Sequence, residues 1–167
     1  MIVKDIVDYD ISNYHLPSMF IIFPYCNFKC NRDCGMEVCQ NYKLINEPNV
    51  EIDIKDLIQR YLDNPLTYAI VCGGLEPFDS KMELYDFITE FRKVSKDVIV
   101  IYTGYNEKEL KDEIPIIKWF DNIIVKYGRF FPNGAQRYDS NLGKILASNN
   151  QYSIMYFNNG SEFDSRT

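Results

Sequence analysis

The sequence has little positive charge, since its 167 residues carry 18 Lys and Arg against 24 Asp and Glu, a formal net charge of −6. A nucleic-acid binder needs a basic surface to neutralise phosphates, so this balance argues against a nucleic-acid partner. Long apolar runs are also missing: the longest, Met19 to Pro24, is far shorter than the roughly 20 residues needed to cross a membrane. The N-terminus has no signal-peptide pattern, so we expect a cytoplasmic protein without a membrane partner.

Histidine is nearly absent, with His15 alone, whereas four of the five cysteines fall within fourteen positions: Cys26, Cys30, Cys34 and Cys39. Clustered cysteines in a reducing compartment indicate metal binding or catalysis rather than disulfides. Their gaps of three, three and four residues do not match the paired ligands, two residues apart, that are typical of zinc sites. Three thiolates would leave one iron of a four-iron cluster open to a substrate, and four would close it for electron transfer. The spacing leaves both arrangements, and a zinc-stabilised module, open.

Apolar runs and helical patterns alternate along the chain. Continuous apolar segments predict strands at 18–24, 67–72, 97–102, 122–126 and 153–157. Helical spacing predicts a helix over 53–62, and capping-box patterns predict helix starts at Ser80 and Asn106. Buried strands separated by helices are typical of a parallel sheet covered on both faces. We therefore predict a single α/β domain over residues 1–167, with a loose tail from about residue 158.

Three of the predicted strands end in loops that carry polar or small residues. These loops are the cysteine loop, Gly73-Gly74 and Thr103-Gly104. Because parallel α/β sheets bind ligands at the C-terminal ends of their strands, we predict that the three loops form one site.

The cysteine loop resembles that of the radical S-adenosylmethionine enzymes, in particular the small activating proteins of anaerobic (class III) ribonucleotide reductases. Their hallmark is three cysteines, separated by three and then two residues, with the third followed by one residue and Asn. Cys26 and Cys30 match the first pair, and Cys39-Gln40-Asn41 matches the ending, with about six residues inserted between. The resemblance implies that Cys26, Cys30 and Cys39 hold a 4Fe-4S cluster, and it leaves the role of Cys34 open.

Two further stretches carry the same resemblance. Gly-Gly-Leu-Glu-Pro, after the second predicted strand, is similar to the family's turn that binds the amino group of S-adenosylmethionine. Tyr-Thr-Gly-Tyr, after the third, is similar to a stretch of the reductase activators. The cofactor-binding residues that the resemblance implies are Gly73, Gly74, Glu76, Thr103 and Lys126.

The resemblance implies a partial (β/α) barrel of mostly parallel strands, with the cluster and S-adenosylmethionine at the C-terminal strand ends. It also implies an oxidoreductase that reductively cleaves S-adenosylmethionine to a 5′-deoxyadenosyl radical and installs a glycyl radical on the large subunit of anaerobic ribonucleotide reductase. The electron would come from a one-electron donor of the flavodoxin or ferredoxin type. Three alternatives remain: an activase for another glycyl-radical enzyme or peptide, a non-enzymatic iron–sulfur electron carrier, and a zinc-stabilised binding module.

Overall fold

A computed structural model describes residues 1–167. The strands are β1 (Ile2–Val3), β2 (Asp5–Asp10), β3 (Ser18–Phe23), β4 (Val50–Glu51), β5 (Ala69–Gly74), β6 (Val98–Tyr102), β7 (Ile123–Tyr127), β8 (Arg137–Asp139), β9 (Lys144–Leu146), β10 (Tyr152–Tyr156) and β11 (Glu162–Asp164). The α-helices are α1 (Lys29–Cys34), α2 (Ile54–Leu62), α3 (Lys81–Arg92) and α4 (Ile114–Ile117). Two 3-10 helices span Tyr42–Asn46 and Pro77–Ser80.

Seven strands form one sheet in the order β11-β10-β7-β6-β5-β3-β2. The four central strands β3, β5, β6 and β7 are parallel. β2 on one side, and β10 and β11 on the other, are antiparallel. The sequence predicted the parallel centre of this α/β sheet but not its antiparallel flanks. The partial barrel stays a prediction.

The central strands are apolar on both faces because both faces are covered. In β5, Ile70 and Cys72 point into the larger apolar core, with residues of α2 and α3, whereas Ala69 and Val71 point into a smaller one. Burial raises the pKa of the Cys72 thiol, and Cys72 is a core residue rather than a ligand. None of the helices reaches the length and apolarity of a membrane-spanning segment.

The capping box predicted at the start of α3 is wrong. The side chain of Ser80 makes no capping hydrogen bond, and its Oγ is buried without a partner. Glu83 instead accepts a hydrogen bond from the backbone N–H of Ile2 (3.0 Å). The reason is that the 3-10 helix Pro77–Ser80 runs directly into α3, so Ser80 does not begin a helix from extended chain.

The second predicted cap forms, but a helix does not follow it directly. The N–H of Glu109 donates to Asn106 Oδ1 (3.1 Å), and the N–H of Asn106 donates to Glu109 Oε2 (3.0 Å). These are the reciprocal bonds of a capping box. The chain then continues in turns, and α4 begins only at Ile114.

The C-terminal stretch is paired with the sheet rather than loose. β11 pairs with β10, so the tail predicted from about residue 158 is corrected over Glu162–Asp164. The buried carboxylate of Asp139 accepts hydrogen bonds from the hydroxyls of Ser153 and Ser165, each 2.6 Å long. Asp139 therefore fastens the end of the chain to β10.

Candidate functional site

The C-terminal ends of the parallel strands meet at one edge of the sheet, where the following loops surround a cavity of about 410 Å³. This volume lies in the range of ~300–1,000 Å³ that is usual for small-molecule sites. The lining includes every ligand and cofactor-binding residue that the sequence predicted: Cys26, Cys30, Cys39, Gly73, Gly74, Glu76, Thr103 and Lys126. The structure therefore brings these eight residues together.

The loop after β3 turns sharply between the first two cysteines. Phe28 has a φ of 52°, in the left-handed region that is uncommon for a bulky residue, and it precedes the first turn of α1. Its backbone N–H donates to Cys26 Sγ (3.3 Å). The turn directs the chain into α1, which carries Cys30, so the first two thiols reach the same cavity.

The third cysteine of the cavity is Cys39, and Cys34 lies apart from it. Burial raises the pKa of Cys30, and the thiol of Cys39 lies close enough to raise it further. Cys34 is the last residue of α1, is partly exposed, and is not among the residues that line the cavity. The structure thus gathers the three cysteines that match the family pattern and leaves the fourth outside.

Burial raises the pKa of two of these thiols, Cys26 and Cys30. Desolvation raises the pKa of Cys26 to about 12, against the smaller opposing effect of the Phe28 N–H bond. Desolvation, followed by the neighbouring Cys39, also raises the pKa of Cys30. Metal binding to these thiols therefore requires release of their protons.

The two glycines at the end of β5 allow the backbone to pass close to β3. A Cβ on Gly73 would lie 3.1 Å from the ring of Phe20. Gly74 has a φ of +84°, and a Cβ there would clash with Cγ2 of Ile22. The carbonyl of Gly74 accepts a hydrogen bond from the side chain of Asn41 (2.7 Å), which ties this turn to the chain just after the third cysteine.

Gly74→Ala should destabilise the fold by about 2–4 kcal/mol, because alanine adds a left-handed backbone cost to a steric clash. Gly160→Ala is the matched control, since Gly160 has a φ of +83° but open space around its Cβ position. Urea unfolding of the metal-free chain should show a loss of only about 1 kcal/mol for this control. Equal losses in the two variants would contradict the close packing of Gly74 on Ile22.

Glu76 joins the second loop to the third. Its buried carboxylate accepts hydrogen bonds from Thr103 Oγ1 (2.8 Å), the Gly104 N–H (2.8 Å) and the Phe78 N–H (3.2 Å). Desolvation outweighs these bonds and raises the pKa of Glu76 to about 7. A carboxylate offers about four lone-pair sites, so one site on Oε2 remains for a ligand. The hydroxyl hydrogen of Thr103 is already donated to Glu76, so Thr103 can offer a ligand only a lone pair.

Lys126 is a buried lysine at the cavity wall, with only 6% of its surface exposed. Its ammonium donates to the carbonyl of Gly128 (2.8 Å) and lies over the ring of Tyr102. Desolvation lowers its pKa to about 7, although the negative charges of Glu76 and Asp139 oppose this shift. An ammonium has three N–H donors, so Lys126 retains donors for an anionic or hydroxyl group in the cavity.

The unfolding free energy of the native chain, relative to Lys126→Met, should rise as the pH increases from about 7 to 10.5. The pKa of Lys126 is lowered on folding, so the unfolded chain binds more protons in this window and the native state gains stability as they are released. The slope approaches roughly 1.4 kcal/mol per pH unit. Urea unfolding across the window measures it, with Lys43→Met, an exposed lysine without an ion pair, as the control. If the difference in unfolding free energy between the native chain and Lys126→Met does not change with pH, folding does not lower the pKa of Lys126.

A second polar cluster, not predicted from the sequence, joins all three loops. Asp79 accepts hydrogen bonds from the Asn27 N–H (2.8 Å) and from the Tyr105 hydroxyl (2.6 Å). The side-chain amide of Asn27 also donates to the Tyr105 hydroxyl (2.5 Å). Asp79 follows the Gly-Gly turn by only a few residues, but nothing in its local pattern shows that it meets the cysteine loop.

Arg129 is the other site residue that sequence reasoning did not select. Its guanidinium lines the cavity with 8% of the side chain exposed, and it pairs with Glu109 (2.7 Å) and Asp33 (3.2 Å). Glu109 also pairs with Lys29. These ion pairs hold α1 against the loops that follow β6 and β7, and they support the cysteine loop at the cavity.

The donor set fits an iron–sulfur cluster. Three thiols line one cavity, beside polar side chains that are not metal-binding thiols. Thiolates are the usual protein ligands of iron–sulfur clusters. No three or more His, Cys, Asp or Glu side chains, these cysteines included, lie close enough together to hold a metal ion, so the fit rests on the type of donor and on the shared cavity. The residues that would hold a cluster are Cys26, Cys30 and Cys39.

Comparison with known proteins agrees with this chemistry. A family model described as a 4Fe-4S single cluster domain matches residues 18–154, from the start of β3 into β10, and includes all five cysteines. No curated protein and no solved structure matches the chain. Since the match covers most of the sequence, the chain belongs to the family of 4Fe-4S single cluster domains.

Proposed function

We propose that this protein is a radical S-adenosylmethionine activase that installs a glycyl radical on a partner protein, anaerobic ribonucleotide reductase. The observation that carries the proposal is the single cavity that three cysteines share with the Gly-Gly turn, Glu76 and Lys126. A cluster held by three thiolates keeps one iron open, and an adjoining polar pocket is what a chelating substrate requires.

The residues of the cavity suit the methionine end of S-adenosylmethionine. Gly73 and Gly74 line the cavity without side chains, so their backbone groups can contact a bound ligand. The free lone pair on Glu76 Oε2 accepts a hydrogen bond from the ligand's amino group, and Lys126 donates to its carboxylate or to a ribose hydroxyl. Thr103 acts mainly by orienting Glu76, through the 2.8 Å hydrogen bond between them.

Cys26, Cys30 and Cys39 would hold a cluster that, when bound, would supply one electron from an external donor of the flavodoxin or ferredoxin type for reductive cleavage of S-adenosylmethionine to methionine and a 5′-deoxyadenosyl radical. That radical takes a hydrogen atom from a glycine Cα of the partner and leaves as 5′-deoxyadenosine. The chain itself orients the substrate and excludes water, which is the usual contribution of a protein to cofactor chemistry.

The test is formation of 5′-deoxyadenosine. The full chain is reconstituted anaerobically with iron and sulfide, reduced, and mixed with S-adenosylmethionine, with and without the large reductase subunit. We expect 5′-deoxyadenosine in every reduced sample, and a glycyl radical signal by electron paramagnetic resonance when the reductase is present. Absence of 5′-deoxyadenosine from a fully loaded protein with its partner would overturn the proposal. Cleavage without radical transfer to the reductase would instead favour another glycyl-radical enzyme or a peptide as the acceptor.

A further inference from the structure

The segment between the second and third cysteines of the cavity contains eight residues and departs from the cavity before it returns. α1 carries the chain away as far as Cys34, and Gly35, with a φ of 64°, reverses its direction. Cys30 and Cys34 are four residues apart on one helix, so Cys34 competes with Cys39 for the neighbourhood of Cys30. Some feature of the loop must therefore favour the return of Cys39.

The side chain of Asn31 provides that feature. Its Oδ1 accepts hydrogen bonds from the backbone N–H groups of Val38 and Cys39, each 3.0 Å long. The same oxygen lies 3.7 Å from Cys30 Sγ. One amide oxygen thus joins the residue after Cys30 to the backbone of Cys39, across the whole inserted segment.

We propose that the side-chain amide of Asn31 positions Cys39 as a cluster ligand by closing the inserted loop between Cys30 and Cys39. This inference rests on the assignment of Cys39 in the proposed function, and it adds a positioning residue that the three-cysteine pattern does not contain. Without the Asn31 oxygen, the backbone N–H groups of Val38 and Cys39 lose their acceptor. The inserted segment then has no side-chain hydrogen bond that holds Cys39 in place.

The outer end of the loop is fastened separately. Asp33 pairs with Arg129, so α1 remains docked when the Asn31 bonds are removed. The side chain of Asn31 therefore controls the return of the chain to Cys39 rather than the position of α1. An outer-shell residue of this kind typically changes metal affinity by ~10–100-fold when it is replaced.

The experiment compares Asn31→Leu, which has no acceptor, with Asn31→Asp, whose carboxylate accepts the same two hydrogen bonds. Asn46→Leu is the control, because Asn46 is exposed and its side chain makes no hydrogen bond. Iron retention by the reconstituted full chain is measured by competition with a chelator. We expect Asn31→Leu to lower iron affinity about 10-fold or more, and Asn31→Asp and Asn46→Leu to remain near the native value.

A second measurement uses the metal-free chain and needs neither cluster nor S-adenosylmethionine. Mild oxidation with diamide joins neighbouring thiols, which lose two electrons and two protons to the diamide, and peptide mass spectrometry identifies the pairs. The native chain and Asn31→Asp should yield mainly the Cys30–Cys39 disulfide. Asn31→Leu should yield a mixture of the Cys30–Cys34 and Cys30–Cys39 disulfides.

Native pairing and native iron affinity in Asn31→Leu would overturn the proposal. Loss of iron in both Asn31 variants would overturn it as well, because the acceptor would then not be the cause. Neither readout involves S-adenosylmethionine, so a failure here is distinguishable from a failure of the activase assignment.

Discussion

Cys39→Ala should lose the iron–sulfur cluster, whereas Cys34→Ala should keep it. Cys39 lines the cavity next to Cys30, and Cys34 lies outside it at the end of α1. Removal of one of three thiolates leaves too few protein ligands for a stable four-iron cluster, while removal of a thiol outside the site leaves the ligands unchanged. The difference between the two variants should be nearly complete loss against nearly full retention of iron.

Iron and acid-labile sulfide per chain, after anaerobic reconstitution, measure this difference directly. Cys26→Ala and Cys30→Ala should behave as Cys39→Ala does, and Cys72→Ala should bind iron as the native chain does, because Cys72 is a core residue. A Cys34→Ala protein without iron would show that Cys34 is a ligand and would favour a closed, four-thiolate cluster.

Glu76→Ala should destabilise the protein by about 3–5 kcal/mol, because three hydrogen-bond donors at the junction of two loops lose their acceptor together. Urea unfolding of the metal-free chain at neutral pH measures the loss. Glu47→Ala is the matched control, since Glu47 is exposed and its side chain has no partner, and it should change stability by less than about 0.5 kcal/mol. If Glu76→Ala loses no more stability than Glu47→Ala, the hydrogen bonds of Glu76 do not stabilise the contact between the two loops.

The pH dependence of this effect has a definite sign. Folding raises the pKa of Glu76 from 4.5 to about 7, so the folded chain binds more protons between these values. The stability of the native chain, relative to Glu76→Gln, should therefore fall as the pH rises from 4.5 to about 7 and level off above it. A relative stability that does not change over this window would mean that folding leaves the pKa of Glu76 near 4.5, so that the carboxylate is ionised at neutral pH.

The central part of the fold follows directly from the sequence. Runs such as Ala69–Gly74 and Val98–Tyr102 are apolar at every position because both faces of the sheet are buried, and this pattern is visible without a structure. The antiparallel strands carry weaker signals. β2 is Asp-Ile-Val-Asp-Tyr-Asp, an edge strand largely exposed to solvent, so its apolar content does not distinguish it from a loop.

The lining of the cavity was predictable where the residue types are distinctive, as in the cysteines and the Gly-Gly turn. Its supports were less predictable, because hydrogen bonds such as Asn27 to Asp79 join residues 52 positions apart. Lys126 shows the same limit: a lysine at a strand end is usually exposed, and only the packing of the loops around it buries this one. Nothing in the sequence distinguishes Asn31 from other polar residues near the cysteines, and only the structure shows its hydrogen bonds to Val38 and Cys39.

The most direct test of the account is the electron paramagnetic resonance spectrum of the reduced, reconstituted chain before and after addition of S-adenosylmethionine. A cluster held by Cys26, Cys30 and Cys39 leaves one iron open, so the account predicts a clear change of the spectrum when the substrate binds. Lys126→Met should require ~10-fold or more S-adenosylmethionine for the same change, because a charged hydrogen bond contributes roughly 1.5–3 kcal/mol. An unchanged spectrum at saturating S-adenosylmethionine would contradict the open site and identify the protein as an electron carrier.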